Sequence, residues 1–280
     1  MSALVYRGLL LFFKNKRAVL GSFIGAFILI ILYVFLLGDG VVKSLSMMAK
    51  PQLIVDTWML AGVIGIASAS STLGSVSLMI RDKEQQVYTD FMISPLTKRE
   101  IMLGYFFSTY LISIVITLVT IVASEAYLVF VSKGSLLSFK DLSLLLAVSS
   151  LSVLCSTSLM FWIATFFRRM DSFSAIVSII GPLVGFLTGS YVPIGGLPEN
   201  ASTVVKYFPL TSGVVLIRKI LTKQAFEGSN PEATLTVQKE LGIVMNYQHE
   251  ILIPVSILVG SSLIFLILAF INVRRTELKR

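Results

Sequence analysis

The feature that most constrains this chain is a series of six apolar stretches, each about as long as a bilayer is thick. A segment in hydrocarbon must satisfy its own backbone hydrogen bonds, and an α-helix of about 20 residues does so. The stretches are residues 19–37, 58–80, 101–131, 142–167, 173–192 and 251–273. Only 14% of residues are charged, against about 25% in soluble domains. We therefore predict an all-α integral membrane protein with six transmembrane helices.

The basic residues next to these stretches predict the orientation. One side holds Arg7, Lys14, Lys16, Arg17, Arg81, Lys83, Lys98, Arg99, Arg168, Arg169, Arg274, Arg275, Lys279 and Arg280. The short loops of the other side hold only Lys43, Lys50, Lys133 and Lys140. Because cytoplasmic loops carry the excess of Lys and Arg, both termini are predicted to be cytoplasmic.

Three segments outside the six apolar stretches have sequence patterns that predict local structure. Residues 1–17 mix apolar and basic positions, which predicts an amphipathic helix on the inner leaflet, with a plain positive flank as the alternative. Gly38, Asp39 and Gly40 predict a turn at the membrane surface. In residues 193–250, the interruption at Pro209 predicts a re-entrant or surface-lying hairpin. Asn230 and Pro231 then predict the start of a short extracellular helix.

Several function classes are excluded by what the sequence lacks. Its single cysteine, Cys155, and single histidine, His249, allow no intrachain disulfide, multi-cysteine zinc site or histidine metal cluster. No Gly-Lys pair occurs, so no Walker-A loop can bind ATP phosphates. The net charge is +8, but the basic residues flank apolar segments and form no soluble basic patch, which argues against binding of nucleic acid. We predict a protein that is not an enzyme and binds no cofactor or metal directly.

The loop at residues 81–100 predicts two helices at an angle. Apolar residues from Val87 to Met92 recur at helical spacing, and Pro95 disfavours helix at the residue before it. Thr97 and Glu100 then fit a capping box for the next helix. Such a loop presents charged and aromatic groups to the cytosol and is typical of a docking element.

This loop resembles the cytoplasmic coupling region of type-2 ABC-transporter permeases. The matching residues are Asp82, Lys83, Glu84, Ser94, Pro95, Leu96, Glu100, Ile101, Leu103 and Gly104. A second match follows downstream at Phe208, Pro209, Leu210, Thr211 and Arg218. Gln86 and Val87 depart from the Gly-Thr of the family pattern at the start of the coupling helix.

The resemblance implies the membrane-spanning subunit of a bacterial ABC exporter, with residues 1–280 as one transmembrane domain in the plasma membrane. Two such subunits, identical or different, would enclose a pathway above two ATPase subunits that bind ATP-Mg. The candidates for ATPase coupling are Asp82, Glu84, Tyr88, Phe91, Ser94, Pro95, Arg168 and Arg169. For the two arginines the alternative is a plain turn of the positively charged cytoplasmic side. Asp82 and Glu84 are expected to make polar contacts to the ATPase, and Tyr88 and Phe91 to fill a groove on it.

Candidates for the pathway or its gating are Gly65, Ser68, Glu125, Gly181, Pro182, Gly185, Gly189 and Pro209. For the small residues the alternative is tight helix packing, and for Glu125 it is a position at the outer headgroups. The expected cargo is a hydrophobic or amphipathic drug, antibiotic or peptide, with a polysaccharide or lipid-linked glycan as the alternative. The rival function is an ion channel or an ion-coupled secondary transporter.

Overall fold

The computed structural model describes residues 1–245 and 247–277, and in these residues the chain forms helices and no strand. The α-helices are α1 (Ser2–Lys14), α2 (Lys16–Leu32), α3 (Gly38–Ser44), α4 (Pro51–Glu84), α5 (Val87–Ile93), α6 (Lys98–Phe130), α7 (Phe139–Ala164), α8 (Met170–Leu187), α9 (Glu199–Tyr207), α10 (Pro209–Leu221), α11 (Pro231–Glu240) and α12 (Leu252–Glu277). A π-helical turn, Tyr33–Leu37, links α2 to α3, and a 3-10 turn, Ile194–Gly196, precedes α9. The basic side chains of Arg274, Arg275, Lys279 and Arg280 lie outside the described residues.

Six helical segments are long and apolar enough to cross a membrane. They are Lys16–Leu36, Pro51–Glu84, Lys98–Phe130, Phe139–Ala164, Met170–Leu187 and Leu252–Val273. The predicted all-α fold with six candidate spans is thereby confirmed. The fifth span was predicted to reach residue 192 but ends at Leu187, because Gly189 takes a φ of +61°. The N–H of Ser190 then turns back to the Gly185 carbonyl at 3.0 Å, a glycine C-terminal cap.

The N-terminal helix is shorter than predicted and packs on the bundle. It ends at Lys14, and the Asn15 side chain accepts a hydrogen bond from the Ala18 N–H at 3.2 Å, which caps α2. The buried face of α1 consists of Leu4, Gly8 and Phe12. This face lies against α6, so part of the apolar surface of α1 is used within the subunit.

The predicted turn at residues 38–40 is wrong, because these residues begin α3. The π-helical turn before α3 lets the chain stay helical, and the Gly38 N–H bonds the Tyr33 carbonyl. A side chain at position 38 would have its Cβ 2.9 Å from that carbonyl oxygen. Glycine at this position therefore relieves a steric conflict within the helix and does not break it.

Helix α4 is the centre of the bundle, in contact with α2, α6, α7, α8 and α10. Most of its residues are buried, and its small residues let the neighbours approach closely. At Gly65, an added Cβ would collide with a methyl group of Val214 on α10. At Gly25 on α2, a Cβ would lie 2.7 Å from the Ile66 side chain. These contacts require residues without side chains.

The segment after α8 forms two consecutive helices, α9 and α10, and a separate short helix, α11. Helices α9 and α10 meet at Phe208 and Pro209, where the proline occupies the first turn of α10 and removes no needed N–H. Almost all of α10 is buried between α4, α7 and α12. Helix α11 starts as predicted, because the Asn230 side chain accepts from the Glu232 N–H at 3.0 Å.

Candidate functional site

The strongest candidate for a functional site is the elbow, by which we mean residues 81–100 at one end of the bundle. Gln86 separates α4 from α5 with a φ of +64°, which turns the chain sharply. Helix α5 ends at Ile93, before Pro95, as predicted. The Thr97 Oγ1 accepts from the Glu100 N–H at 3.3 Å, and a Glu100 carboxylate oxygen accepts from the Thr97 N–H at 2.8 Å. The predicted capping box is therefore confirmed.

A polar hub, consisting of Arg7, Asp82 and Tyr105, joins three helices beneath the elbow. Arg7 on α1 donates to both carboxylate oxygens of Asp82 on α4, at 2.6 and 3.0 Å. The Tyr105 hydroxyl on α6 donates to the same carboxylate at 2.6 Å. The Asp82 side chain is only 3% exposed, and its hydrogen bond to Arg7 raises the pKa of that guanidinium. Bidentate pairs of this kind are strong and geometrically specific.

Asp82 differs from the other candidates of the elbow in its burial. Its carboxylate is hydrogen-bonded within the chain, to Arg7 and Tyr105, and its contact with the ATPase stays a prediction. Helical spacing placed Asp82 near the docking loop but gave no sign of its partner, because Arg7 is 75 residues away in sequence. Asp82 therefore connects α1 and α6 to the end of α4.

The aromatic residues of α5 also point toward the bundle. The Tyr88 ring stacks on the Tyr105 ring with their centroids 6.4 Å apart. The Phe91 ring lies under the Arg7 guanidinium, 5.3 Å from its carbon to the ring centroid. Both rings are half-buried against the apolar core. These contacts attach α5 to the polar hub, and the expectation that the two rings fill a groove on the ATPase stays a prediction.

The outward face of α5 holds residues that sequence reasoning did not select. Thr89 and Asp90 are exposed, and Ile93 is 83% exposed. Near its end, Ser94 Oγ donates to the Phe91 carbonyl at 2.6 Å, and Pro95 is exposed. The sequence places Ile93 at the end of the short helix, directly before Ser94 and Pro95, but gives no sign that its side chain is exposed. The spacing of apolar residues along α5 indicates that the helix has two different faces, but it does not show which face is buried.

The 168–171 turn lies beside the elbow. A Glu84 carboxylate oxygen accepts from the Met170 N–H at 3.3 Å, at the first turn of α8. A carboxylate there also complements the positive end of the helix dipole. Arg168 and Arg169 are exposed, and Arg169 pairs with Asp171 at 3.2 Å. The predicted coupling residues of both loops are thus brought to one surface, except that Asp82, Tyr88 and Phe91 face inward.

Most of the small residues that are candidates for the pathway lie where helices or segments of the chain pack closely together. Gly65 lies against Val214, and the Ser68 hydroxyl donates to the Gly65 carbonyl at 2.7 Å within α4. Gly185 lies against the ring of Tyr191, and Gly189 provides the positive φ that ends α8. These contacts are those of close packing in one subunit, the alternative that the sequence left open.

The remaining candidates lie at different places. Gly181 faces open space, and Pro182 is in the exposed half of α8. Pro209 begins α10 inside the bundle. One Glu125 carboxylate oxygen accepts from the Leu137 N–H at 3.4 Å, so Glu125 ties α6 to the loop that follows it. The structure does not bring these residues together into one site.

At the end of the bundle opposite the elbow, a buried arginine joins segments that the sequence did not connect. We call this end the loop end, and it contains the start of α4 and the loops after α6 and α10. Arg218 is 0% exposed and donates to the carbonyls of Gly189, at 2.7 Å, and Gly242, at 3.4 Å. Its guanidinium carbon lies 5.0 Å from the Trp58 ring centroid. Arg218 therefore connects α10, the end of α8, the turn after α11 and α4.

In residues 1–245 and 247–277, no three His, Cys, Asp or Glu residues are grouped closely enough to hold a metal ion. Within the elbow, α5 has an exposed outer face and an inner face that contacts Arg7 on α1 and Tyr105 on α6.

Comparison with known proteins agrees with this architecture. The chain matches none of the curated proteins. A family model described as ABC-2 family transporter protein matches residues 43–271, which include the elbow and five of the six candidate spans in full or nearly so. Proteins of this family are membrane permease components of ABC transporters, whose ATPase activity lies in a separate subunit. The chain is a multi-pass membrane protein that belongs to the ABC-2 transporter family.

Proposed function

We propose that this chain is the permease subunit of an ATP-driven exporter, in which α5 is the helix that receives force from a separate ATPase subunit. The observation that carries the proposal is the two-sided attachment of α5. Its outer face exposes Asp90 and Ile93, while its inner face holds Tyr105 and Arg7 through ring contacts. A push on the outer face is therefore transmitted to α1, α4 and α6 through the polar hub.

The charge distribution supports a cytoplasmic elbow. The elbow and the 168–171 turn contain Arg81, Lys83, Lys98, Arg99, Arg168 and Arg169. An excess of basic residues next to spans is typical of the cytoplasmic side. We accordingly place both termini in the cytoplasm, the loop end outside, and the protein in the bacterial cell membrane. Helix α1 then lies at the inner leaflet, where its exposed apolar residues contact lipid.

The proposed assembly has two permease subunits, identical or different, and two ATPase subunits that bind ATP-Mg. Helix α8 supports a partner within the membrane, because Ile179, Leu183 and Phe186 are 62%, 47% and 56% exposed. Gly181 on the same helix has no neighbouring atom within 4 Å of an added Cβ. A second permease subunit can approach this face closely. Residues 1–280 form the transmembrane domain of one such subunit.

The proposed cargo is a hydrophobic or amphipathic compound such as a drug, an antibiotic or a peptide. Small and apolar side chains dominate α4 and α8, the helices that hold most of the pathway candidates. Such surfaces suit a ligand with little charge, because burial of an unpaired charge is costly. Transport follows alternating access, with the ATPase closing beneath the elbow in each cycle.

A cross-linking experiment tests the position of the ATPase. Cys155 is 0% exposed, so Ile93→Cys introduces one accessible thiol into the chain. With a cysteine series on the ATPase surface, we expect an ATP-dependent disulfide to Ile93→Cys. Leu235→Cys, at a 54% exposed position on α11, is the matched control that should form none.

A functional assay in proteoliposomes completes the test. Ile93→Asp should weaken binding of the ATPase and reduce ATP-driven export, while Leu235→Asp should leave both unchanged. Export at the normal rate by Ile93→Asp would contradict the coupling role of α5. Cargo movement by the chain alone without nucleotide would instead support the rival channel or ion-coupled carrier.

A further inference from the structure

A cleft at the loop end has no role in the proposed coupling. It has a volume of about 510 Å³ and lies between the first turn of α4, the 132–135 loop and the segment between α10 and α11. Cavities of about 300–1,000 Å³ are the size at which small ligands bind. The polar and charged residues of its lining include Lys50, Gln52, Ser132, Lys133, Gln224 and Glu227. We propose that this cleft binds a phosphate group, of a lipid headgroup or of a free solute, between Lys50 and Lys133.

The electrostatics of the cleft favour an anion. Lys50 and Lys133 both line it and are exposed, and in the described part of the chain neither ammonium group has an ion-pair partner. Glu227 is the acidic residue of the lining, so the lining carries two positive charges and one negative charge. An ammonium group is a compact charge that binds phosphate oxygens well. The lining thus carries a net positive charge.

The walls of the cleft are held in place by hydrogen bonds below the lysines. Asp56 is 3% exposed and accepts from Gln52 at 2.9 Å and from Ser132 at 2.7 Å. Ser135 donates to Gln224 at 2.7 Å, which joins the 132–135 loop to the segment after α10. A site whose walls are fixed before the ligand arrives loses less entropy on binding. These bonds hold together the first turn of α4 and the 132–135 loop, the two segments next to or within which Lys50 and Lys133 lie.

The floor of the cleft limits what can enter. An apolar crevice continues beneath it, shares Leu53, Gly134 and Gln224 with it, and holds only about 10 Å³. A Cβ added to Gly134 would lie 3.2 Å from the Leu53 side chain, so this part is tightly closed. The ligand group is therefore small and polar. An acyl chain has no room there and must stay outside.

The proposal predicts opposite effects for basic and acidic substitutions. The double variant Lys50→Gln/Lys133→Gln removes both cations, and we expect it to weaken binding of inorganic phosphate about tenfold. Glu227→Gln removes the opposing charge and should tighten binding about twofold to threefold. The matched control is Lys239→Gln, an exposed lysine on α11 away from the cleft, which should change nothing. All four positions are exposed, so the variants should fold normally.

The experiment uses the full chain in lipid nanodiscs and has two arms. Phosphorus NMR line broadening measures inorganic phosphate binding in nanodiscs of phosphatidylcholine, and native mass spectrometry measures retained phosphatidylglycerol in mixed nanodiscs. If the double variant loses binding of inorganic phosphate alone, the ligand is a free phosphate. If it loses retained phosphatidylglycerol, the ligand is a lipid headgroup. Equal binding by the double variant and the parent chain in both arms would overturn the proposal. Equal weakening by Lys239→Gln would also overturn it, because the effect would then be one of general surface charge.

Discussion

The polar hub makes the sharpest prediction about how force reaches the long helices. Arg7 and Asp82 form a bidentate pair in which the side chains are 32% and 3% exposed. Loss of one partner of a fully buried pair costs about 3–5 kcal/mol, whereas exposed pairs contribute at most about 1 kcal/mol. Because one partner is buried and the other is one-third exposed, we expect a coupling energy of about 2 kcal/mol between them.

A double-mutant cycle measures this energy. Arg7→Met, Asp82→Asn and the double variant are compared with the parent chain by denaturant unfolding in mixed micelles. Arg7→Met keeps an aliphatic side chain of similar length, removes the guanidinium that lies over Phe91, and leaves the Asp82 carboxylate with its hydrogen bond from Tyr105. Arg17→Met is the control, since Arg17 is exposed and makes no ion pair in the described residues. A coupling energy below about 0.5 kcal/mol would refute the reasoning.

The same variants should have a functional phenotype that a merely structural pair would not produce. If the hub transmits motion from α5, Arg7→Met should retain ATPase binding and ATP hydrolysis while export falls several-fold. The assay compares moles of cargo exported per mole of ATP hydrolysed in proteoliposomes. An unchanged ratio, together with reduced stability, would mean that the hub holds the fold and does not transmit force.

Three further substitutions test individual contacts, each by denaturant unfolding. Thr97→Ala removes the cap of α6 and should cost about 1 kcal/mol, and Thr97→Ser should restore most of it; equal stability of both variants would contradict the cap. Gly65→Ala should cost about 1–3 kcal/mol through its collision with Val214, and adding Val214→Ala should recover part of the loss; no recovery would place the strain elsewhere. Arg218→Met should cost about 2 kcal/mol because two buried carbonyls lose their donor, and proteolysis near residues 222–250 should accelerate; resistance to protease like that of the parent chain would argue against this role.

Local chemistry was sufficient to predict several parts of the elbow. Pro95 ends α5, and the Thr97–Glu100 capping box starts α6, because both effects act within three or four residues. The start of α11 at Asn230 and Pro231 has the same origin. By contrast, Gly38 and Gly40 were expected to break the chain into a turn. The π-helical turn before them shows that a helix can continue through glycine when its backbone bonds are kept.

The amino-acid sequence by itself determined the class of this protein, because hydrocarbon permits few structures and six long apolar stretches leave only a helical bundle. The sequence also predicted that the elbow contains a short amphipathic helix, α5. Only the tertiary structure decided which face of α5 is buried, that Asp82 binds Arg7, and that Arg218 binds the carbonyls of Gly189 and Gly242. Helical periodicity specifies the angle between side chains on one helix. The choice of partner depends on segments distant in sequence, which meet only when the bundle has packed.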